Sequence, residues 1–99
     1  MKSEGRLKDI VKFVNERAGV DVRVVSRKRD VIEARTIYYM IASKATRASV
    51  ENIGSIVNKD HSTVTYAKKA LFDIIKQDRF YMNIYREDFN IPLDKGGVR

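Results

Sequence analysis

Residues 58–64 read Asn-Lys-Asp-His-Ser-Thr-Val, so polar side chains stand directly before an apolar helical pattern. Asp60 is a favourable N-cap residue, and Thr63 falls at the N3 position, whose backbone N–H such a cap accepts. Asn58 tolerates the left-handed backbone conformation that a tight turn between two helices requires. The spacing therefore predicts a helix that begins here and carries a carboxylate, an imidazole and hydroxyls at its start.

Catalysis is the first chemistry to consider for Asp60, His61 and Ser62, but helical geometry argues against it. Consecutive helical residues diverge by about 100°, so these three side chains cannot form an acid-base relay. With one His and no Cys in the chain, we expect no metal site, no cofactor and no enzymatic activity. The same groups suit base edges in a DNA groove, where a carboxylate accepts from cytosine and a hydroxyl serves several bases. The simpler alternatives are that Asp60 is only a helix cap and that His61 is an incidental surface residue.

The charge balance favours a polyanionic partner. The chain of 99 residues has 20 Lys and Arg against 13 Asp and Glu, which gives a net charge of +7. A basic surface that is merely solvated is the alternative interpretation. No apolar run reaches the roughly 18 residues that span a bilayer, and no secretory signal is recognisable, so we expect a cytoplasmic protein without a membrane partner.

Hydrophobic periodicity predicts a first helix and then a connector. Ser3 can cap this helix, apolar residues recur at helical spacing as far as Ala18, and Gly19 ends it. In residues 20–29 the pattern breaks, and periodicity does not distinguish a short helix from an extended connector. We favour a short helical turn followed by a loop.

A long central helix is predicted next. Asp30 and Glu33 have the form of a capping box that opens it, and the helical pattern continues to about Ala45. Its predicted apolar face consists of Val31, Ala34, Tyr38, Ile41, Ala42 and Ala45.

Two further helices flank the polar stretch and together predict a helix-turn-helix. Ser49 is a favourable N-cap for the first, which extends to about Val57. Gly54 lowers helix propensity there, and close approach of the neighbouring helix would compensate. The second helix, which begins after Asp60, is predicted to continue to about Lys76.

Asp78 can cap a last helix, and Pro92 marks where helix must end. We therefore predict an all-α fold of five to six helices around a helix-turn-helix, as one domain over residues 1–93 with a flexible tail at 94–99. The predicted core comprises Ile10, Val14, Ala34, Ile41, Ile53, Val64, Leu71 and Ile74.

Three segments of this sequence carry a family resemblance. The basic connector 26–29 with residues 31–35, the segment 49–54, and the stretch Lys-Asp-His-Ser-Thr-Val at 59–64 occur in a characteristic order and at characteristic distances. From about residue 7 to residue 75, the chain resembles the C-terminal DNA-binding domain of the bacterial replication initiator DnaA. The segments correspond to that family's basic loop and long helix, its first helix-turn-helix helix, and its signature sequence.

The resemblance implies a role for each basic or polar residue. Arg29 is expected to enter a minor groove, where an A/T-rich site concentrates negative potential. Base edges in the major groove are expected to be contacted by Asp60, His61, Ser62 and Thr63. Phosphates, whose contacts give affinity rather than sequence choice, are expected to be contacted by Lys28, Lys44, Arg47, Lys59, Lys68 and Lys69.

The function that this implies is sequence-specific binding of double-stranded DNA at a site like the DnaA box, 5′-TTATCCACA. It would serve replication control or transcription regulation in a bacterial or phage context, on the nucleoid. The family's ATPase domain needs a phosphate-binding Gly-x-x-x-x-Gly-Lys-Ser/Thr loop, which this sequence lacks. We therefore expect a small stand-alone relative in preference to an isolated domain of a longer protein.

A rival interpretation keeps the fold and changes the function. The chain would then be a degenerate DnaA-like module that binds another protein. A protein partner or a homodimer could use the aromatic residues of the last helix, although core packing is the commoner role of such residues. These residues are Phe80, Tyr81, Tyr85 and Phe89.

Overall fold

The structure, a computed structural model, describes residues 2–90, with side chains described for residues 5–87. This part of the chain contains helices and no strand, which confirms the expected all-α fold. The helices are α1 (Lys2–Ala18), α2 (Arg29–Ala45), α3 (Val50–Ser55), α4 (His61–Tyr66), α5 (Phe72–Ile75) and α6 (Arg79–Asn90), and a π-helical turn (Ala67–Leu71) joins α4 to α5. Pro92 and the predicted tail at 94–99 lie outside the described residues.

α2 lies at the centre of the fold, in contact with α1, α3, α5 and α6. Ile37 and Tyr39 are buried in addition to the predicted stripe, so the face of α2 that contacts other helices is wider than periodicity indicated. A helix that is apolar around most of its circumference is expected at the centre of a domain. Six of the predicted core residues lie in one buried cluster: Ile10, Val14, Ala34, Ile41, Ile53 and Val64.

The connector between α1 and α2 agrees in outline with the favoured prediction of a turn followed by a loop. Gly19 does end α1, with a φ of +76° that favours glycine. The segment that follows contains no helix: one hydrogen bond of 3.3 Å from Val24 N to Asp21 O closes a turn, and the chain then runs to α2 without regular structure. At the other end of α1, the helix begins at Lys2, so Ser3 is not its N-cap.

The predicted capping box at the start of α2 is wrong. α2 begins at Arg29, with Lys28 in the N-cap position and no side-chain cap. The Glu33 carboxylate pairs with the Arg29 guanidinium at 2.8 Å instead of reaching back to the cap. The Asp30 carboxylate accepts from the adjacent N–H of Val31. An i,i+4 ion pair has therefore replaced the box.

The far end of the segment after Asp60 also differs from the prediction. Leu71 is only partly buried, and Ile74 is 59% exposed. The reason is the π-helical turn, in which Phe72 N donates to Ala67 O five residues back. The extra residue in this turn rotates everything beyond it, so Phe72 and Leu71 both pack partly against the core, Ile75 is buried, and Ile74 is turned outward.

α6 closes the domain, and most of its described aromatic residues belong to the core. Asp78 accepts from Phe80 N at 2.9 Å and so caps the helix as predicted. Tyr81 and Tyr85 are buried, and the Tyr85 ring meets Phe72 at a centroid distance of 5.5 Å. Phe80 is 49% exposed. The side chain of Phe89 lies outside the described residues, so the predicted partner face is reduced to Phe80 among the side chains that the structure describes.

Candidate nucleic-acid interface

The turn between α3 and α4 is the tightest point of the helix-turn-helix. A Cβ atom on Gly54 would collide with the carbonyl oxygen of Lys59 and lie 2.9 Å from Val64 Cγ2. The backbone N–H of Lys59 donates to Gly54 O at 2.9 Å, and Asn58 adopts a φ of 61°. Both sequence-based expectations for this turn, close approach at Gly54 and a left-handed Asn58, are confirmed.

α3 is fixed by one cap and one hydrogen bond from the centre of the fold. Ser49 Oγ accepts from Asn52 N at 3.1 Å, as an N-cap does. From α2, the Tyr38 hydroxyl donates to the carbonyl of Ile53 at 2.7 Å. Burial raises the pKa of Tyr38, so this hydroxyl remains protonated and can donate across the physiological pH range. The first helix of the pair is thereby held directly on the central helix.

Asp60 is the N-cap of α4. Its Oδ1 accepts from Thr63 N at 2.9 Å. This backbone hydrogen bond, followed by interaction with the Thr63 side chain, holds the pKa of the Asp60 carboxyl below its ordinary value. The carboxylate is therefore ionised at neutral pH. Because two carboxylate oxygens offer about four acceptor sites, capping leaves capacity to accept from a base amino group.

His61, Ser62 and Thr63 form the exposed first turn of α4. On the opposite side of the same helix Val64 is buried, so the core fixes which side the polar residues present to solvent. Tyr66, at 61% exposed, extends this polar surface by one further turn. The residues predicted to contact bases in the major groove therefore lie together at one accessible helix end.

Arg29 does not lie in the loop where the sequence was expected to put it. It is the first residue of α2, its side chain is 82% exposed, and its guanidinium pairs with Glu33. The hydrogen bond to Glu33 raises the pKa of Arg29. Arg27 lies in the loop itself, is exposed, and makes no hydrogen bond or ion pair among the described side chains. The sequence-based prediction did not single out Arg27. The spacing from Arg29 to Glu33 is that of an i,i+4 ion pair, so it could have indicated that Arg29 is paired and thereby directed attention to Arg27.

The basic loop, defined as residues 25–28, lies with the adjoining Arg29 beside the far end of the recognition rod, defined as residues 61–75. A cleft of about 290 Å³ separates them and is lined from the two sides by Arg27, Arg29, Ile32, Glu33, Leu71, Ile74 and Ile75. At about 1.5 Å per residue, the rod puts its exposed first turn roughly 20 Å from this cleft. The two groups of predicted base contacts are therefore well separated.

The residues predicted to contact phosphates come from several elements and differ in exposure. Lys28 and Arg47 lie in exposed loops, Lys69 is exposed on the rod, and Lys59 and Lys68 are partly buried. Lys44 lies 5.7 Å from the centre of the Tyr85 ring and so faces α6. Lys44 is six positions after Tyr38, the residue that contacts α3. At about 100° per residue, the two side chains lie about 120° apart around α2.

Two negative observations hold for the described residues. No cluster of His, Cys, Asp or Glu there could hold a metal ion. None of the helices that the structure describes is long and apolar enough to cross a membrane.

Comparison with known families identifies a match. A family model described as the bacterial DnaA protein helix-turn-helix matches residues 7–70 of the chain. No solved structure matches it.

Curated relatives agree with the family model. The chromosomal replication initiator protein DnaA of Flavobacterium psychrophilum is 33% identical over 97 residues, 94% of this chain and 20% of that protein. The protein of the same name from Bacteroides thetaiotaomicron is 34% identical over 77 residues, 74% of this chain and 16% of that protein. That of Tropheryma whipplei strain Twist is 34% identical over 62 residues, 62% of this chain and 13% of that protein. The chain spans a fifth or less of the length of these relatives.

Proposed function

The chain belongs to the C-terminal helix-turn-helix family of bacterial DnaA, a DNA-binding domain, and we propose that it binds double-stranded DNA sequence-specifically at a DnaA-box-like site. Its role would be in replication control or transcription regulation, on the nucleoid. The observation that carries the proposal is the first turn of α4, where the ionised cap Asp60 is followed by exposed His61, Ser62 and Thr63. These are donors and acceptors of the kind that major-groove edges require.

The separation between the recognition turn, defined as residues 56–63, and the basic loop supports contacts in two grooves. Roughly 20 Å of helical rod separates the two regions. Half a turn of B-DNA, which leads from a major groove to the next minor groove on the same side, is about 17 Å. The first turn of α4 would therefore read the major groove while the loop reads the adjacent minor groove.

We assign the minor-groove contact to Arg27 of the basic loop in addition to Arg29, the first residue of α2. The Arg29 guanidinium has to leave Glu33, or share it, before it can enter a groove. Arg27 has no such partner among the side chains that the structure describes. We expect Arg27→Ala to weaken binding more than Arg29→Ala, mainly at the A/T-rich end of the site. Titration of both variants against duplexes altered only at that end measures this, and a larger loss for Arg29→Ala would restore Arg29 to the main role.

Phosphate contacts would supply most of the affinity. Lys28, Arg47, Lys59, Lys68 and Lys69 remain in this role, and Lys44 is the weakest candidate because it faces α6. Four or five such contacts give a slope of roughly −4 to −5 in a plot of log affinity against log salt, at about −0.9 per contact. A salt-insensitive interaction would contradict duplex binding of this kind.

The decisive experiment has two steps, of which the first is selection of binding sites from random duplex DNA. Variants are then titrated against the selected and a scrambled duplex at one salt concentration. His61→Ala and Thr63→Ala should cost about 1 to 3 kcal/mol on the selected duplex and little on the scrambled one. Lys69→Ala is the matched control and should weaken both duplexes by similar factors. Equal losses on both duplexes for all three variants would contradict base reading by α4.

A protein partner or homodimer through α6 has less support. Tyr81 and Tyr85 are occupied in the core, which leaves Phe80 as the exposed aromatic among the described side chains of α6. If no duplex is selected and Phe80→Ala abolishes self-association or partner binding, the interaction-module function replaces the DNA-binding one.

A further inference from the structure

Arg35 is buried in α2, and its guanidinium holds the loop that precedes this helix. Nε donates to the carbonyl of Val22 at 2.9 Å, and Nη2 donates to the carbonyl of Val24 at 2.8 Å. The residue is 5% exposed. No carboxylate pairs with it among the described side chains. The hydrogen-bonding capacity of this buried cation is directed at loop backbone.

These two hydrogen bonds hold the segment that directly precedes the basic loop. Val22 is anchored a second time, because its side chain is fully buried and its N–H donates to Asn15 Oδ1 at 2.9 Å. Val24 has no such second anchor beyond the local turn. Beyond Val24, Val25 is 93% exposed, and the described hydrogen bonds of residues 25–28 reach only nearby residues. The bond from Arg35 to Val24 is thus the last long-range restraint before Arg27.

We propose that Arg35 is a positioning residue for DNA recognition, which sets the path on which the basic loop leaves the domain and so aims Arg27 at the minor groove. The inference rests on the proposed function. The planar guanidinium suits the task because its donors are fixed in a fork that spans two carbonyls. A lysine ammonium is a point charge on a flexible chain, and it cannot hold the same two carbonyls in the same geometry.

The test compares Arg35→Lys with a control that weakens the fold elsewhere. Ile10→Val serves as this control, because Ile10 is a buried residue of α1 that is not among the loop's hydrogen-bonding partners. Amide hydrogen exchange in residues 22–28 reports loop order. Titration against the selected duplex, and against duplexes altered at the A/T-rich end or at the α4 end, reports recognition.

For Arg35→Lys we expect about tenfold faster exchange in residues 22–28 relative to the core amides, which is what loss of one good hydrogen bond allows. Discrimination at the A/T-rich end should fall by about the same factor, while discrimination at the α4 end is retained. The double variant Arg27→Ala with Arg35→Lys should discriminate no worse than Arg27→Ala alone. Ile10→Val should leave both ends unchanged.

A second variant covers the case in which Arg35→Lys does not fold. Val25→Gly loosens the loop after its last anchor without touching the core, and it should produce the same selective loss at the A/T-rich end. If Arg35→Lys and Ile10→Val change recognition alike, or if loop exchange is unchanged in Arg35→Lys, the positioning role is overturned while the proposed function stands. If the wild-type protein selects no duplex, the proposed function fails and this role fails with it.

Discussion

The recognition turn and the basic loop are both assigned to DNA, and they are held in place by opposite means. In the recognition turn, the bonds from Lys59 to Gly54 and from Thr63 to Asp60 join residues no more than five positions apart. The basic loop depends on α2, through the bonds that Arg35 makes to a loop 11 to 13 positions away. The hydrogen bonds that shape the first region are local, whereas those that hold the second come from a residue of the central helix. Distant mutations should therefore affect the loop more than the turn.

The largest effect is expected beside the basic loop, at the far end of the recognition rod. Ile75 is buried in the core beside the cleft, so Ile75→Ala should lower the free energy of unfolding by about 2 to 5 kcal/mol. Urea denaturation measures this. The neighbouring Ile74→Ala is the matched control, because Ile74 is 59% exposed and its truncation should cost less than about 1 kcal/mol. Similar costs for both would mean that the π-helical turn does not set the register.

A smaller loss of stability is expected from adding a side chain at Gly54, beside the recognition turn. Gly54→Ala introduces a Cβ against the Lys59 carbonyl, and this backbone atom cannot move aside as a flexible side chain could. We expect a loss of about 1 to 3 kcal/mol in the free energy of unfolding, with weakened DNA binding. Gly5→Ala should instead stabilise α1 by about 0.5 to 1 kcal/mol, since its Cβ meets open space. If both substitutions stabilise the protein, the close approach of Gly54 to the Lys59 carbonyl does not restrain this turn.

The loop can also be loosened from α1. Asn15→Ala removes the acceptor of Val22 N and the donor to Asp21 Oδ1. We expect it to cost about 1 to 2 kcal/mol in stability, because a partly buried N–H loses its acceptor. Duplex titration should show weaker discrimination at the A/T-rich end and unchanged discrimination at the α4 end. If discrimination fell equally at both ends of the DNA site, the loop would not be more sensitive to distant mutations than the recognition turn.

The smallest effect concerns acid stability at the recognition turn. The pKa of Asp60 is lowered in the folded state, so its contribution to stability is present above the ordinary value of 3.8 and is lost as pH falls through the folded pKa. Asp60→Asn keeps a capping side chain but removes this titration. The Tm of the wild-type protein should therefore fall more steeply than that of the variant below about pH 4. Parallel Tm curves from pH 6 to pH 3 would show that the carboxylate contributes nothing as an ion.

The contrast between local and long-range contacts also explains which features of the fold and the site could be predicted from the sequence. Ser49, Asp60, Asn58 and Gly54 were each predicted in the role that the structure gives them, because caps and tight turns depend on a few adjacent residues. The start of α2 was predicted wrongly, because an ion pair to Arg29 competed with a capping box for the same Glu33 carboxylate.

Two other features could be identified only from the three-dimensional structure. The exposure of Ile74 follows from a π-helical turn, which no hydrophobic periodicity of 3.6 residues describes. Arg35 lies four residues after Val31 and three before Tyr38, within the predicted buried stripe. A charge on a buried face was a usable signal that it has backbone partners, but the sequence alone could not name the loop carbonyls that receive it.

The π-helical turn has a consequence for how this sequence tolerates changes in length. Because that turn holds one residue more than an α-helical turn, deleting a single residue between Ala67 and Leu71 would leave an unbroken α-helix. His61, Ser62 and Thr63 precede the deletion and would keep their orientation. Everything after it would also keep its orientation, because the lost residue is the one that the π-helical turn accommodates, and Ile75 would still face the core. A one-codon deletion here would therefore shorten the rod without re-aiming either end, whereas the same deletion in an α-helical part of the rod would turn everything beyond it by about 100°.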